Sequence, residues 1–240
     1  MTLLFLIKNA IVASMGTFSI VATPIGNLED ITLRAIRVLK EADVIFCEDT
    51  RMTKKICMEY EIETPLRRYD AHATNARHEE ILGRLEKGEK VALVTDAGTP
   101  CISDPGFRII NQVHEMLPEV KIEAIAGPSA LTAALSVAGL ATSEFTFLGF
   151  LPHKKGRETL FKEIGVSERA MVFYESPHRL MKALESLTKV LETERRLAVV
   201  RELTKIYESV VRGTAQEVLA YFEAHQDEVR GECVIIVEGE

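Results

Sequence analysis

From Phe18 onward, short runs of β-branched and aromatic residues alternate with stretches whose apolar side chains recur every three or four positions. That rhythm is strand alternating with helix, the pattern of an α/β protein. The spacing predicts strands over 18–22, 44–47, 91–94 and 122–125. It predicts helices over 27–42, 50–60, 75–86, 107–116 and 129–137. Ile31, Ala35, Val38 and Leu39 share a face of the first helix, with Asn27 or Asp30 as its cap. The wholly apolar run 91–94 belongs in the buried middle of a parallel sheet. Beyond Gly139-Leu140 the rhythm changes: strands are expected over 145–150, 170–174, 196–201, 208–211 and 233–237, with helices over 158–164, 178–191 and 215–222. Such an order suits a mixed sheet with at least one antiparallel pair. The expected architecture is therefore a two-domain α/β fold, with a mostly parallel sheet over 16–140 and a mixed sheet over 141–240. Residues 1–15 read as an extension or misassigned start, because Met15-Gly16 directly precedes the first strand and the apolar stretch before it lacks the flanks of a signal peptide.

Composition narrows the classes. A chain of 240 residues with 47% hydrophobic side chains can bury a large core without staples. The four cysteines, Cys47, Cys57, Cys101 and Cys233, form no C-x-x-C pair, so neither a zinc site nor a disulfide scaffold is expected, and reduced thiols in a cytoplasm fit best. No apolar run reaches the roughly 18 residues of a membrane span. A net charge of −7 excludes a protein that coats nucleic acid over its whole surface, so any such contact must be a local patch.

Several motifs fail on inspection. Gly83 and Gly88 have P-loop spacing, but Glu89 stands where the phosphate-binding lysine belongs. His114-Glu115 opens like a zinc-protease helix, yet Pro118 replaces the second histidine. No G-x-G-x-x-G follows the first strand, which excludes a dinucleotide site of the usual kind. What remains is 95–106, Gly- and Pro-rich, directly after a buried strand. Gly98 permits close backbone approach, while Pro100 and Pro105 stiffen the loop. A plain strand-to-helix turn, with Asp104 as cap and Pro105 at the first helical position, accounts for its end but leaves 96–103 unexplained. Similar turns follow two other strands, at 22–27 and 126–130. Three such turns delivered to one sheet edge make a more specific signal than any one alone.

Together with Cys47-Glu48-Asp49-Thr50-Arg51, Gly149-Phe150-Leu151-Pro152, Tyr174-Glu175-Ser176-Pro177-His178-Arg179 and Arg201-Glu202-Leu203-Thr204-Lys205, these segments resemble the tetrapyrrole methylase superfamily, and within it the ribosomal RNA small subunit methyltransferase I branch. The matches run in order from about residue 18 to the end. The resemblance implies S-adenosylmethionine bound in a cleft between two α/β domains, a homodimer, and methyl transfer to a cytidine ribose 2′-hydroxyl in small-subunit rRNA, free or within an assembled 30S subunit. It assigns the cofactor to Pro24, Gly98, Thr99, Pro100, Ile102, Ser103, Ser129 and Ala130, with Tyr174 and Leu203 closing over it.

The sulfonium donor carries an activated methyl group, so no metal or covalent nucleophile is required, and positioning does most of the work. A ribose hydroxyl must also lose a proton. Glu48, Asp49, Glu175, Glu202 and Lys205 lie in motif segments, and the sequence does not choose among them; a salt bridge is as good an account of Glu202. For RNA, the basic loop of His153, Lys154, Lys155 and Arg157 stands out, with Arg51, Lys54, Lys55, Arg179 and Arg201 as extensions and Tyr174 as a base-stacking ring. A solvated loop and a core tyrosine are the bland alternatives. Two other functions stay open: a methyltransferase acting on a tetrapyrrole ring carbon, and a non-catalytic RNA-binding factor on the same fold.

Overall fold

The computed structural model describes residues 16–240, so the reading of residues 1–15 lies outside the described residues. The chain divides into two compact units, one ending at Ser129 and the other spanning Ala130–Glu240.

In the first unit, β1 (Thr17–Val21), β2 (Val44–Cys47), β3 (Leu66–Arg68), β4 (Lys90–Leu93) and β5 (Lys121–Ile125) form one sheet in the order β3-β2-β4-β1-β5. Every pairing is parallel, with Phe18 opposite both Val91 and Ile122. Parallel neighbours need crossover connections, and helices supply them. α1 (Leu33–Glu41) and α2 (Thr50–Glu59) cover one face, where Ala35, Leu39 and Ile56 pack with Val21, Ile45 and Val94. α3 (Asn75–Glu86) and α4 (Phe107–Met116) cover the other, where Ile81, Leu85, Ile109 and Val113 pack with Phe18, Phe46 and Leu93. Successive side chains of a strand point to opposite faces, so a sheet sandwiched this way demands apolar residues at every position. β2 reads Val-Ile-Phe-Cys for that reason, all four buried.

In the second unit, α5 (Ala130–Val137) packs against a mixed sheet in the order β6-β7-β10-β8-β9. Its strands are β6 (Phe145–Phe150), β7 (Ala170–Glu175), β8 (Arg196–Arg201), β9 (Ser209–Thr214) and β10 (Cys233–Val237). Only β6 and β7 are parallel; β7-β10, β10-β8 and β8-β9 are antiparallel. Helices α6 (Arg157–Gly165), α7 (Pro177–Val190) and α8 (Ala215–Ala224) bury Phe161, Ile164, Leu180, Leu184, Val218 and Phe222 against one face.

β3 was not expected from the sequence, and the elements depart from the expectation in three further places. The first helix does not run from Asn27. Asn27 caps a single 3-10 turn (Leu28–Asp30), Ile31 is extended, and α1 starts afresh because Thr32 accepts a capping hydrogen bond from the Ala35 N–H. Asp104 and Pro105 do not begin α4. Gly106, at φ 140°, stands between them and Phe107. Strand β9 extends to Thr214, whose side chain and Glu217 form a reciprocal capping box that launches α8 without a loop.

Candidate functional site

β4, β1 and β5 are neighbours running in one direction, so the turns after them emerge at one sheet edge. β1 leads to α1 on one face, and β4 leads to α4 on the other. In open α/β sheets such a divergence marks the crevice where ligands bind. The turns are fastened to each other there. The Thr23 N–H donates to Gly98 O at 2.9 Å and the Gly98 N–H to Thr23 O at 3.0 Å. Thr23 Oγ1 donates to Thr95 O at 3.3 Å, and Thr99 Oγ1 to Pro128 O at 3.1 Å. Gly98 has φ +80°, and a Cβ there would stand 3.4 Å from Ile25 Cγ2 and 3.8 Å from Pro128 O. Glycine at this position serves the joint among three turns, since both of its backbone polar groups pair with Thr23.

The loop beyond Gly98 is strained. Cys101 (φ 72°) and Ser103 (φ 67°) adopt left-handed backbone, at a cost of about 1–3 kcal/mol each. Among the described residues, the other non-glycine positions with positive φ are Glu61, Glu202 and Thr204. All but Glu61 lie in the two motif segments, 95–106 and 201–205. Strain of this kind persists where the surroundings over-determine the backbone, as they do at ligand sites. Between the two left-handed residues Ile102 projects with 39% of its surface exposed, while Pro24 and Pro100 are buried beneath the same turns. Ser129 is half-buried just past Pro128, and Ala130 opens α5.

The turn after β2 joins this edge. The Asp49 N–H donates to Asp96 Oδ1 at 2.9 Å. Asp49 caps α2 and grips the Arg51 guanidinium at 2.6 Å, which draws its carboxyl down to about 2. A cavity of about 660 Å³ opens here, lined by Glu48, Asp49, Arg51, Arg68, Asp70 and His72, among others. Burial, helped by the negative charges of Asp96, Asp70 and Asp49, pushes the Glu48 carboxyl above the usual carboxylate range. Arg51, Lys54 and Lys55 are exposed on α2.

In the second unit the motif residues separate into two kinds. Glu175 is fully buried and accepts Arg157 Nη2 at 2.8 Å and Arg179 Nε at 2.7 Å. Arg157 also donates to Pro152 O and lies over the Phe161 ring, and Arg179 donates to Leu151 O. The two arginines thus brace the 151–152 turn. Arg201 is 4% exposed and donates Nη2 to Glu228 Oε2 at 3.0 Å. Of the arginines read from the sequence as RNA contacts, Arg201 is buried, and Arg157 and Arg179 are half-buried with their guanidiniums held by Glu175, whereas His153, Lys154 and Lys155 are exposed. Lys205 Nζ donates to Glu202 Oε1 at 2.9 Å, and Leu203 between them is buried. Tyr174 is half-buried, edge-on to Phe147 and Phe150, with ring centroids 5.0 and 5.3 Å away. Sequence reasoning missed Thr23 and Asp96 as fasteners of the strand-end turns and Asp70 and His72 as cavity lining. A polar residue flanking a glycine turn is a weak signal for the first pair. None exists for the second.

Comparison with known proteins gives a consistent pattern. The sequence profile of the Tetrapyrrole (Corrin/Porphyrin) Methylases matches residues 17–219. The ribosomal RNA small subunit methyltransferase I of Thermotoga maritima is 40% identical over 225 residues, covering 94% of this chain and 99% of that one. The Bacillus subtilis protein of the same name is 42% identical, covering 95% and 76%. Among solved structures, a cobalt precorrin-4 methyltransferase aligns with TM-score 0.65 at 18% identity, covering 95% of this chain and 96% of that one. A Thermus thermophilus uroporphyrin-III C-methyl transferase complexed with S-adenyl homocysteine aligns with TM-score 0.62 at 19% identity, covering 93% and 97%.

Proposed function

The chain belongs to the tetrapyrrole (corrin/porphyrin) methylases, in the ribosomal RNA small subunit methyltransferase I branch, and from that premise we propose that it methylates the 2′-hydroxyl of a cytidine ribose in small-subunit ribosomal RNA. It is a methyltransferase, and S-adenosylmethionine is its methyl donor. The observation that carries the reading is the strained loop 95–106, fastened to two neighbouring strand-end turns at the edge where α/β sheets take ligands. We read the working assembly as a cytoplasmic homodimer acting on rRNA or the 30S subunit. Among the described residues, no helix is long and apolar enough to cross a membrane.

The residues of the loop fit the donor. When bound, S-adenosylmethionine supplies a methyl carbon already activated by the sulfonium. Pro24, Gly98, Thr99, Pro100, Ile102, Ser103 and Ser129 would hold it. The exposed Ile102 between two left-handed residues offers an apolar surface to it without placing a carboxylate beside the positive sulfur, which would favour the ground state over the more charge-dispersed transition state. Pre-fastened turns mean little reorganisation on binding. Orientation of the acceptor oxygen can then contribute on the order of 7–11 kcal/mol.

RNA contact falls to Lys154 and Lys155, with Arg51, Lys54 and Lys55 on the first unit. Replacing Lys154 and Lys155 together by alanine is expected to weaken RNA binding and flatten its dependence on log salt by up to about 1.8, at roughly 0.9 per lost phosphate contact on a duplex. Cofactor affinity, measured by calorimetry on the same variant, is expected to match the parent. An unchanged salt slope with full methyl transfer would return this loop to plain solvated surface. A parent protein that binds RNA but gives no calorimetric signal with S-adenosylmethionine would instead be a non-catalytic RNA-binding factor.

A further inference from the structure

We propose that Glu48 is the general base that takes the proton from the acceptor hydroxyl, an inference that rests on the ribose 2′-hydroxyl reading above. The structure separates the carboxylates that the sequence leaves level. Glu175 has no exposed side-chain surface, and its oxygens already accept Arg157, Arg179 and the Ser176 N–H. No substrate oxygen reaches it. Glu202 and Lys205 neutralise each other at 2.9 Å.

The cavity at the end of β2 holds the remaining candidates. Asp49 is tied up by Arg51 through both carboxylate oxygens, and a carboxyl drawn down to about 2 is a poor base. Asp70 pairs with Arg68 at 2.8 Å and accepts the His72 N–H at 2.9 Å. Asp96 is anchored to the Asp49 N–H. Glu48 lines the same cavity, and among the described residues no hydrogen bond or ion pair engages its carboxylate. A volume of about 660 Å³ falls within the range of small-molecule sites and has room for a nucleoside.

The charges that face Glu48 come from three elements: Asp49 and Arg51 from the turn after β2, Arg68, Asp70 and His72 from β3 and the turn after it, and Asp96 from the loop after β4. Asp49 and Asp70 are each matched by an arginine, so the field at Glu48 is not relieved by a cation of its own. Burial and the neighbouring carboxylates make it a stronger base than a free glutamate. Asp96 belongs to the same loop as Gly98 to Ser103, so Glu48 stands beside the donor-binding turns. As the ribose oxygen bonds to the methyl carbon, its O–H proton passes to the Glu48 carboxylate. The electron pair of the broken carbon–sulfur bond goes to sulfur. The products are a methyl ether, a neutral thioether and a carboxylic acid, which later releases its proton to water.

Glu48→Gln keeps the shape and removes the basic site. We expect kcat for ribose methylation to fall by about 10²–10⁴-fold, the usual contribution of a general base, with KM for RNA and calorimetric affinity for S-adenosylmethionine within about threefold of the parent. The rising acid limb of the parent's kcat–pH profile should vanish in Glu48→Gln and return in Glu48→Asp. Carboxyl ¹³C NMR of the ligand-free protein, with Glu48→Gln identifying the resonance, should titrate above the ordinary glutamate range. A Glu48→Gln protein that keeps kcat within threefold and retains the acid limb overturns the proposal while leaving the 2′-hydroxyl reading intact. Parent protein that methylates no ribose overturns both.

Discussion

Glu175→Ala is expected to lower the unfolding free energy of the second unit by about 3–5 kcal/mol, the largest stability loss of any single change considered. Removing one partner of a buried pair leaves the other charge uncompensated, which costs more than the pair itself contributes. Here two guanidiniums would be stranded, since Arg157 and Arg179 are 14% and 17% exposed and both converge on Glu175. The 151–152 turn, held by these arginines through Pro152 O and Leu151 O, should loosen with them. Urea unfolding followed by circular dichroism checks the figure. Stabilities within 1 kcal/mol of the parent would mean that the arginines find solvent easily and that Glu175 is no keystone.

The second large effect concerns function. Gly106→Val is expected to reduce S-adenosylmethionine affinity at least 100-fold, equivalent to about 2.7 kcal/mol. Gly106 sits at φ 140°, and a Cβ there would lie 2.6 Å from Cys101 Sγ and 3.1 Å from Leu93 Cδ2. Leu93 ends β4 in the packed core, so Cys101 must give way, and with it the left-handed backbone that projects Ile102. The fold should survive, because the displaced segment lies beyond the strand. Gly156→Ala is the control. It too has positive φ, 85°, but nothing lies within 4 Å of its added Cβ. That change should cost only the roughly 1–2 kcal/mol of left-handed strain and leave cofactor affinity alone. Calorimetry with equal affinities for parent and Gly106→Val would remove this loop from the site.

Much of this was legible in the sequence, for physical reasons. β2 reads clearly because a strand covered on both faces carries apolar residues throughout, and β4 because Val91, Ala92 and Leu93 do so after an exposed Lys90. The three strand-end turns read clearly because Gly and Pro mark where backbone must bend, and a parallel sheet then gathers those bends at one edge. β3 was not legible. Its Leu66–Arg68 segment is a three-residue edge strand with one half-buried and two exposed side chains, so no hydrophobic pattern announces it. The start of α1 was misplaced because Asn27 and Thr32 are both good caps, and only the observed backbone tells which of them opens the longer helix.

The candidate site was legible in its loop and illegible in its charges. Arg157 and Arg201 look like a basic surface in sequence, where a positive charge carries no mark of a distant partner. Glu175 lies 18 positions from Arg157, and Glu228 lies 27 from Arg201. Only the fold brings them together. The same holds for Glu48, which differs from Glu175 and Glu202 in what surrounds it and not in what precedes or follows it.

The central claim, that this chain moves a methyl group from S-adenosylmethionine to a cytidine ribose of small-subunit rRNA, is tested most directly by supplying the labelled donor with unmodified 30S subunits, free small-subunit rRNA and a tetrapyrrole, then mapping the label. The account predicts label on RNA only, in a nucleoside that digests and chromatographs as 2′-O-methylcytidine. Label on the tetrapyrrole, on a base rather than a ribose, or on no acceptor at all would contradict it.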